Sequence, residues 1–589
     1  MAARTAENGA TSAEDTMRAL PRNGGVGALL LLAVLGLART ALPAEPPAGS
    51  PVLKAMEQEM ARALEGLRAR ADQPPYFLMY SVTDLQDTSI AATCGALEYS
   101  SSDRARLLDV VVRVGDYALD NTHRLQGDRF SYYTSYSPAR AVAIEDDLDS
   151  LRAALWLETD RKYKAALESL TQVRANVAVK VKEEDTSADF SRDEPQRFIG
   201  PPAQVKIDVQ GWEKRLKAAS ALFNATPEIY RSSVSISAEA VTKCLVTSEG
   251  TVLRHPSVQL RVGIYAETKA NDGMELYRYE SFEARTPEKL PDDAAVRAAI
   301  EHIVADLKAL RAAPVIEPYT GPAILEGRAS GVFFHEVFGH RIEGHRQKDE
   351  QEGQTYTKKV NEQVLPAFIS VYDDPTMERF GTKDLLGSYR YDDEGVKAQR
   401  VVVVDKGILK SFLMSRSPIA SFSKSNGHGR SYPGFRAVGR QGNLIVEASE
   451  TVPEGKLREM LIEECKKQGK PFGLIFKDIS GGFTFTSRGI PQVYQVTPLV
   501  VYRVYTDGRP DELVRGADLI GTPLVSFSRI LAASDRVEVF NGYCGAESGP
   551  VPVSLAAPSI LTGQIEIQKK EKSADRPPLL SPPGKGDRP

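Results

Sequence analysis

Residues 331–345 read GVFFHEVFGHRIEGH and bring His335, Glu336, His340, Glu343 and His345 together, including three of the chain's seven histidines. Imidazole nitrogens are good zinc ligands, and a carboxylate beside one of them can act as base toward a water held on the metal. The usual zinc-protease spacing puts its two histidines four residues apart, on one face of a helix. Here His335 and His340 are five apart, in HExxxH order. At about 100° per residue their side chains point roughly 140° apart. A regular α-helix therefore cannot aim both at one ion. The helix must either widen by a residue, as in a π-bulge, or end near Gly339, where the missing side chain makes distortion cheapest. Spacing alone leaves the bland reading open, because short histidine patterns arise by chance and His345 reads equally well as a ligand or as an exposed side chain.

A long chain must position these groups. Its 589 residues are 42% hydrophobic and 26% charged, enough to bury a large core across more than one domain. The balance of 74 basic against 78 acidic residues argues against a nucleic-acid partner. Four cysteines exclude a disulfide-dense scaffold. The block Gly24–Ala38, preceded by Arg18 and Arg22, is apolar but too short for a membrane span and fits the core of a signal peptide. Cleavage after Ala44 is expected, with Met17 a better start than Met1, and the destination is periplasmic or secreted. An uncleaved anchor is the alternative. Beyond this block no stable membrane insertion is expected.

Leu53, Met56, Met60, Leu64 and Leu67 repeat at helical spacing. Segments 76–82, 88–100 and 105–117 read as strands, 145–176 as a long helix, 180–202 as an exposed loop, 227–285 as further strands and 292–311 as a helix. The second half begins near Pro314 and is strand-rich, with a turn at Asp405-Lys406-Gly407 between two apolar runs. The expected organisation is a signal peptide over 1–44, an N-terminal α+β domain over 45–313, a β-rich domain over 314–570 and a disordered tail over 571–589. The fold class is α+β.

His335-Glu336-Val337-Phe338-Gly339-His340, followed by Glu343-Gly344, resembles the HExxxH segment of the TldD/PmbA family of zinc metallopeptidases, once called modulators of DNA gyrase. Further matches follow in order: Asp392-Asp393-Glu394-Gly395, Asn426-Gly427-His428-Gly429-Arg430, Arg440-Gln441-Gly442-Asn443, Gly481-Gly482, Arg515-Gly516-Ala517 and Leu519-Ile520-Gly521. The third of these departs from the family's RMTN-like stretch, and His345 stands where the family more often has an acidic residue.

The resemblance implies a two-domain fold, with a mixed α/β N-terminal domain and a strand-rich C-terminal metallopeptidase domain. It also implies a third zinc ligand, a cysteine in a Cys-Gly context, which Asn541-Gly542-Tyr543-Cys544-Gly545 supplies. The implied site is His335, His340 and Cys544 on Zn2+ with Glu336 as catalytic base, and His428 or a nearby tyrosine is open as a further donor to the oxyanion. Unfolded or flexible peptides are the implied substrates, pairing in extended form with a strand beside the site, and the implied assembly is a homodimer or a heterodimer with a PmbA-like paralogue. The competing reading is a non-catalytic binding or scaffold subunit of such a complex. Cys94, Cys244 and Cys465 have no motif around them and read as small core residues, or as at most one disulfide.

Overall fold

A computed structural model describes residues 50–125, 137–179, 185–349, 352–484, 486, 494–521, 523–570, 577, 578 and 580. The expected signal peptide lies outside these residues, as does nearly all of the expected tail. The described residues fall in a single compact unit, Gly49–Pro589.

Helix α1 (Pro51–Arg70) starts where the chain supplies two start signals: the Ser50 hydroxyl accepts from the Leu53 N–H, and Pro51 fills the first turn, where its missing donor costs nothing. Leu53, Met56 and Met60 lie on its buried side. Five antiparallel strands follow, β1 (Phe77–Thr93), β2 (Ala96–Arg113), β3 (Arg231–Thr247), β4 (Val252–Lys269) and β5 (Glu275–Ala284), in sheet order β2-β1-β3-β4-β5. The three strand segments expected over 76–117 are in fact one hairpin of two long strands. It turns at Cys94 and Gly95, which both have positive φ, 49° and 87°, as a tight two-residue hairpin turn demands. Cys94 is exposed there and not in the core, and all four cysteines are free.

Side chains alternate across a strand, so Leu78, Tyr80 and Val82 of β1 share a face with Val234, Ile236 and Val246 of β3. Helices α1 and α2 (Leu148–Val179) cover one end of that face. Helices α3 (Val209–Ser220) and α4 (Asp293–Ala312) cover the other end. The opposite face turns toward the C-terminal half: Lys243 pairs with Asp393, and Gln259 accepts from the Tyr543 hydroxyl at 2.7 Å.

The second sheet contains β6 (Tyr319–Leu325), β7 (Ile369–Asp373), β8 (Val401–Asp405), β9 (Asn443–Ala448), β10 (Phe472–Thr484), β11 (Tyr494–Tyr505), β12 (Ala517–Gly521), β13 (Ile530–Ala546) and β14 (Gly549–Lys569), with shorter strands at its margins. The order runs β8-β7-β9-β14-β12-β11-β10-β6, and β6 pairs again with β14, from Tyr319 opposite Ile567 to Leu325 opposite Ile560. Strands β14, β12, β11, β10 and β6 thus close into a ring, which leaves these five no open edge between first and last. Strand β13 lies along β14 outside that ring. Helix α5 (Gly327–Val337) follows β6 almost at once and packs on β10, β13 and β14. A further helix, α6 (Glu454–Lys467), was not expected from the sequence. The class is α+β, and no helix among the described residues is long and apolar enough to cross a membrane.

Candidate metal centre

Helix α5 is apolar nearly all round because it is buried nearly all round. Phe333, Phe334 and Phe338 converge on Phe527, with ring centroids 5.2, 5.1 and 5.7 Å away, which fixes the rotation of the helix. The regular helix stops at Val337, and Gly339–Arg341 continue as a 3-10 turn. Arg341 folds back over the end and donates to the Val337 carbonyl at 3.0 Å, satisfying one of the last-turn acceptors. Of the two ways a five-residue spacing can converge, the chain uses the ended helix. His335 leaves from the last helical turn and His340 from the 3-10 turn, with ring centroids 4.9 Å apart.

Gly339 serves a different purpose from the one its type suggests. Its φ is not in the left-handed region. What it supplies is room, because a Cβ there would lie 2.1 Å from Oε1 of Gln441. The Gln441 amide in turn reaches toward the His335 carbonyl, at 3.5 Å.

Cys544 arrives from β13, with Sγ 3.4 Å from His340 Nε2. One donor atom each from His335, His340 and Cys544 lie within 4.8 Å of one another, and all three residues are buried. The Cys–His separation is close to the roughly 3.5 Å that tetrahedral angles give for zinc bonds of about 2.0–2.3 Å. Burial pushes the Cys544 thiol up, but His340, Arg440 and His335 beside it outweigh burial and hold it well below the ordinary thiol range. Burial works against a proton on His340, yet Cys544 and Glu343 hold it well above the usual imidazole value. His335 Nδ1 is buried with no hydrogen-bond partner. A buried cysteine and two imidazoles, one of them with an orphaned ring nitrogen, form a donor set that zinc fits, one that would leave a fourth position for water or substrate. Glu336 is buried too, its Oε2 3.9 Å from His340 Nε2, and it is not one of the three clustered donors.

A second group lies alongside. Glu343, His345 and Glu547 also bring donor atoms within 4.8 Å of one another. Glu343 accepts from His340 Nδ1 at 3.2 Å, and Arg346 lies 2.8 Å from both Glu343 and Glu547. His345 pairs with Glu547, so it is neither a member of the first cluster nor a freely exposed side chain. Burial pushes the Glu343 carboxyl up, but His340, Arg346 and Arg440 bring it down to about 2.

The remaining sequence matches hold the surroundings together. Gly429 N–H donates to Asp392 and Asp393 N–H donates to the Gly429 carbonyl, so two of the quoted segments bind each other. His428 is fully buried, with Nε2 3.2 Å from Asp373 and Nδ1 3.1 Å from the Asn426 carbonyl. Both its nitrogens are engaged in the core, which takes it out of consideration as an oxyanion donor. Arg440, Gln441, Arg346 and Glu547 border the centre and received no role from the sequence. For the first two, the only signal was their place in the Arg440–Asn443 match.

Residues 318–569 match the family model of the PmbA/TldA metallopeptidase C-terminal domain. The chain is 27% identical to a metalloprotease of Methanocaldococcus jannaschii over 359 residues, 61% of this chain and 74% of that protein. It is 24% identical to a zinc metalloprotease TldD homolog of Saccharolobus solfataricus over 249 residues, 42% of this chain and 51% of that protein. The crystal structure of TldE from Thermococcus kodakarensis shares the fold, with a TM-score of 0.56 at 14% identity over 87% of this chain and 100% of that one. With a matched C-terminal-domain model, metalloprotease relatives and a zinc-fitting donor set on the helix that the motif marks, the chain is similar to the TldD/PmbA metallopeptidases, most clearly over residues 318–569.

Proposed function

We propose that the chain hydrolyses peptide bonds in unfolded or flexible polypeptides, with His335, His340 and Cys544 holding zinc and Glu336 acting as general base and then general acid. The observation that carries this reading is the convergence of three buried donors with a fourth, non-ligating carboxylate beside them. Zinc bound there supplies Lewis-acid polarisation of the scissile carbonyl and makes water more acidic. Glu336 accepts a proton from the attacking water as its oxygen bonds to the carbonyl carbon. The C–N bond then breaks, and Glu336 delivers that proton to the departing amine. The site residues are less than a tenth exposed, which favours an extended chain over a folded one as the species that reaches them.

The test is zinc content together with hydrolysis of an unstructured peptide, before and after chelation. The reading expects about one zinc per chain and activity that is lost and regained with the metal. Stoichiometric zinc without hydrolysis of any unstructured peptide favours the scaffold reading instead. We further propose export with removal of residues 1–44, and a dimer with itself or with a PmbA-like paralogue. Both rest on the sequence features and the family resemblance, and an intact N-terminus on protein from the native host, or an active monomer in sedimentation, overturns the corresponding one.

A further inference from the structure

Arg440 is fully buried, and its guanidinium fans out to several groups from separate parts of the chain. One terminal nitrogen donates to the Cys544 carbonyl at 2.7 Å. The other donates to Ser548 Oγ at 2.7 Å and to the Gly549 carbonyl at 3.2 Å, across the turn that joins β13 to β14. Its Nε faces Glu343 Oε1 at 3.4 Å. Glu343, also fully buried, accepts from Nδ1 of His340, and the other nitrogen of that ring is the one facing Cys544. His340 and Cys544 are 204 residues apart in sequence. Arg440 and Glu343 thus link them, by hydrogen bonds at either end and, in the middle, by an ion pair in which Arg440 Nε makes no hydrogen bond.

We propose that Arg440 and Glu343 are a positioning pair that sets two metal ligands at once, Glu343 by fixing the tautomer and direction of His340, and Arg440 by tying Glu343 to the backbone that carries Cys544. This rests on the ligand assignment above. The chemistry is direct. A histidine presents Nε2 to a metal only if the proton sits on Nδ1, and a carboxylate accepting from Nδ1 selects that tautomer and makes Nε2 a better donor. A carboxylate with freedom to swing cannot do this, and Arg440 on one side with Arg346 on the other removes that freedom. The planar, multi-donor guanidinium is also the one side chain able to address a carboxylate and several carbonyls from a single buried point. Serving structure alone would not require its Nε edge to face the carboxylate that holds a ligand.

The experiment uses the full chain, with zinc removed and replaced, in four variants: Glu343→Gln, Arg440→Lys, Cys544→Ala and Glu336→Gln. Zinc affinity is read by competition with a chromophoric chelator, and ligand geometry by the visible and near-ultraviolet absorption of the cobalt-loaded protein. Melting curves establish which variants are folded. Glu343→Gln and Arg440→Lys are expected to bind zinc about 10–100-fold more weakly. They should also shift the cobalt ligand-field bands while keeping the thiolate-to-cobalt band. Cys544→Ala should lose that band, and Glu336→Gln should resemble the parent in both measurements. A folded Glu343→Gln protein with parental zinc affinity and a parental cobalt spectrum overturns the proposal. If Arg440→Lys does not fold, Glu343→Gln alone decides. If Cys544→Ala keeps the parental spectrum, the ligand assignment fails and the positioning pair falls with it, which is distinct from a failure of the pair alone.

Discussion

The two donor clusters beside helix α5 match in donor number and spacing and differ in the charges around them. His335, His340 and Cys544 offer a thiol and two imidazoles, with Arg440 bonding the Cys544 carbonyl beside them. Glu343, His345 and Glu547 collect a comparable number of donors, but Arg346 already bonds both carboxylates and Arg440 faces one of them. A cation entering the second cluster would displace or confront two arginines at close range, where the local dielectric is low. The first is the set we assign to zinc, and the second is a network whose charges already balance beside it. Donor count and distance do not separate them. The charges already present do.

The comparison is sharpest where a ligand is deleted. Cys544→Ala should lower zinc occupancy and activity together, whereas Glu547→Gln should leave zinc at about one per chain. Elemental analysis of the two variants side by side checks this, and equal zinc loss in both would erase the distinction. The next effect in size separates chemistry from binding within the first cluster. Glu336→Gln keeps size and polarity but cannot take up the proton, and losing general-base help costs about 10²–10⁴ in rate. Single-turnover peptide cleavage should fall by that much with zinc retained. If zinc is lost instead, Glu336 is a ligand.

Removing the Glu547 charge from the neutralised network should cost stability and spare the metal. Glu547→Gln leaves His345 and one edge of Arg346 without their anion, a loss of about 1–3 kcal/mol, readable as a lower denaturation midpoint. A last effect, of similar size, lies in the first sheet, where three carboxylates face one another across strands. Asp103, Asp87 and Glu239 stand directly opposite one another on β2, β1 and β3. Burial, and then Asp87, push Glu239 up from 4.5 to about 7. A raised carboxyl contributes stability below its unfolded value, and that contribution is lost as pH climbs to the folded one. Unfolding measured between about pH 4.5 and 7 should therefore show declining support from Glu239 in the parent. In Glu239→Gln that decline should flatten by about 1–3 kcal/mol. An unchanged slope would show that Glu239 ionises freely.

What the sequence disclosed follows from how local each feature is. The HExxxH segment and the need to break its helix were legible because both lie within a few residues. So were α1 and α4, whose apolar spacing is regular. The β1–β2 hairpin was read as three pieces because polar runs such as Asp84–Ser89 and Ser100–Arg104 interrupt the apolar alternation, while the strands continue through them on backbone pairing. Helix α6 buries only Leu457, Leu461 and Cys465 among charged neighbours, a stripe too thin to stand out. Cys544 came only through the family resemblance, since nothing around it announces a histidine two hundred residues away. Apart from the local His340–Glu343 contact, the bridge through Arg440 is tertiary, joining residues from three segments, and no spacing rule reaches it.

The closed ring of the second sheet has a consequence for synthesis. Its first strand, β6, completes its pairing only with β14, which ends at Lys569. The helix carrying His335, with His340 in the turn just after it, leaves directly from β6. A ribosome that has made the first five hundred residues has therefore delivered two of the three donors, half of the positioning pair's contacts and an unclosed sheet. The thiolate and the carbonyl that Arg440 grips arrive together, in the last tenth of the chain. Under the activity proposed above a nascent chain would be its own nearest substrate, and this order of arrival leaves the growing chain without its third donor until the strands that complete the sheet are being made.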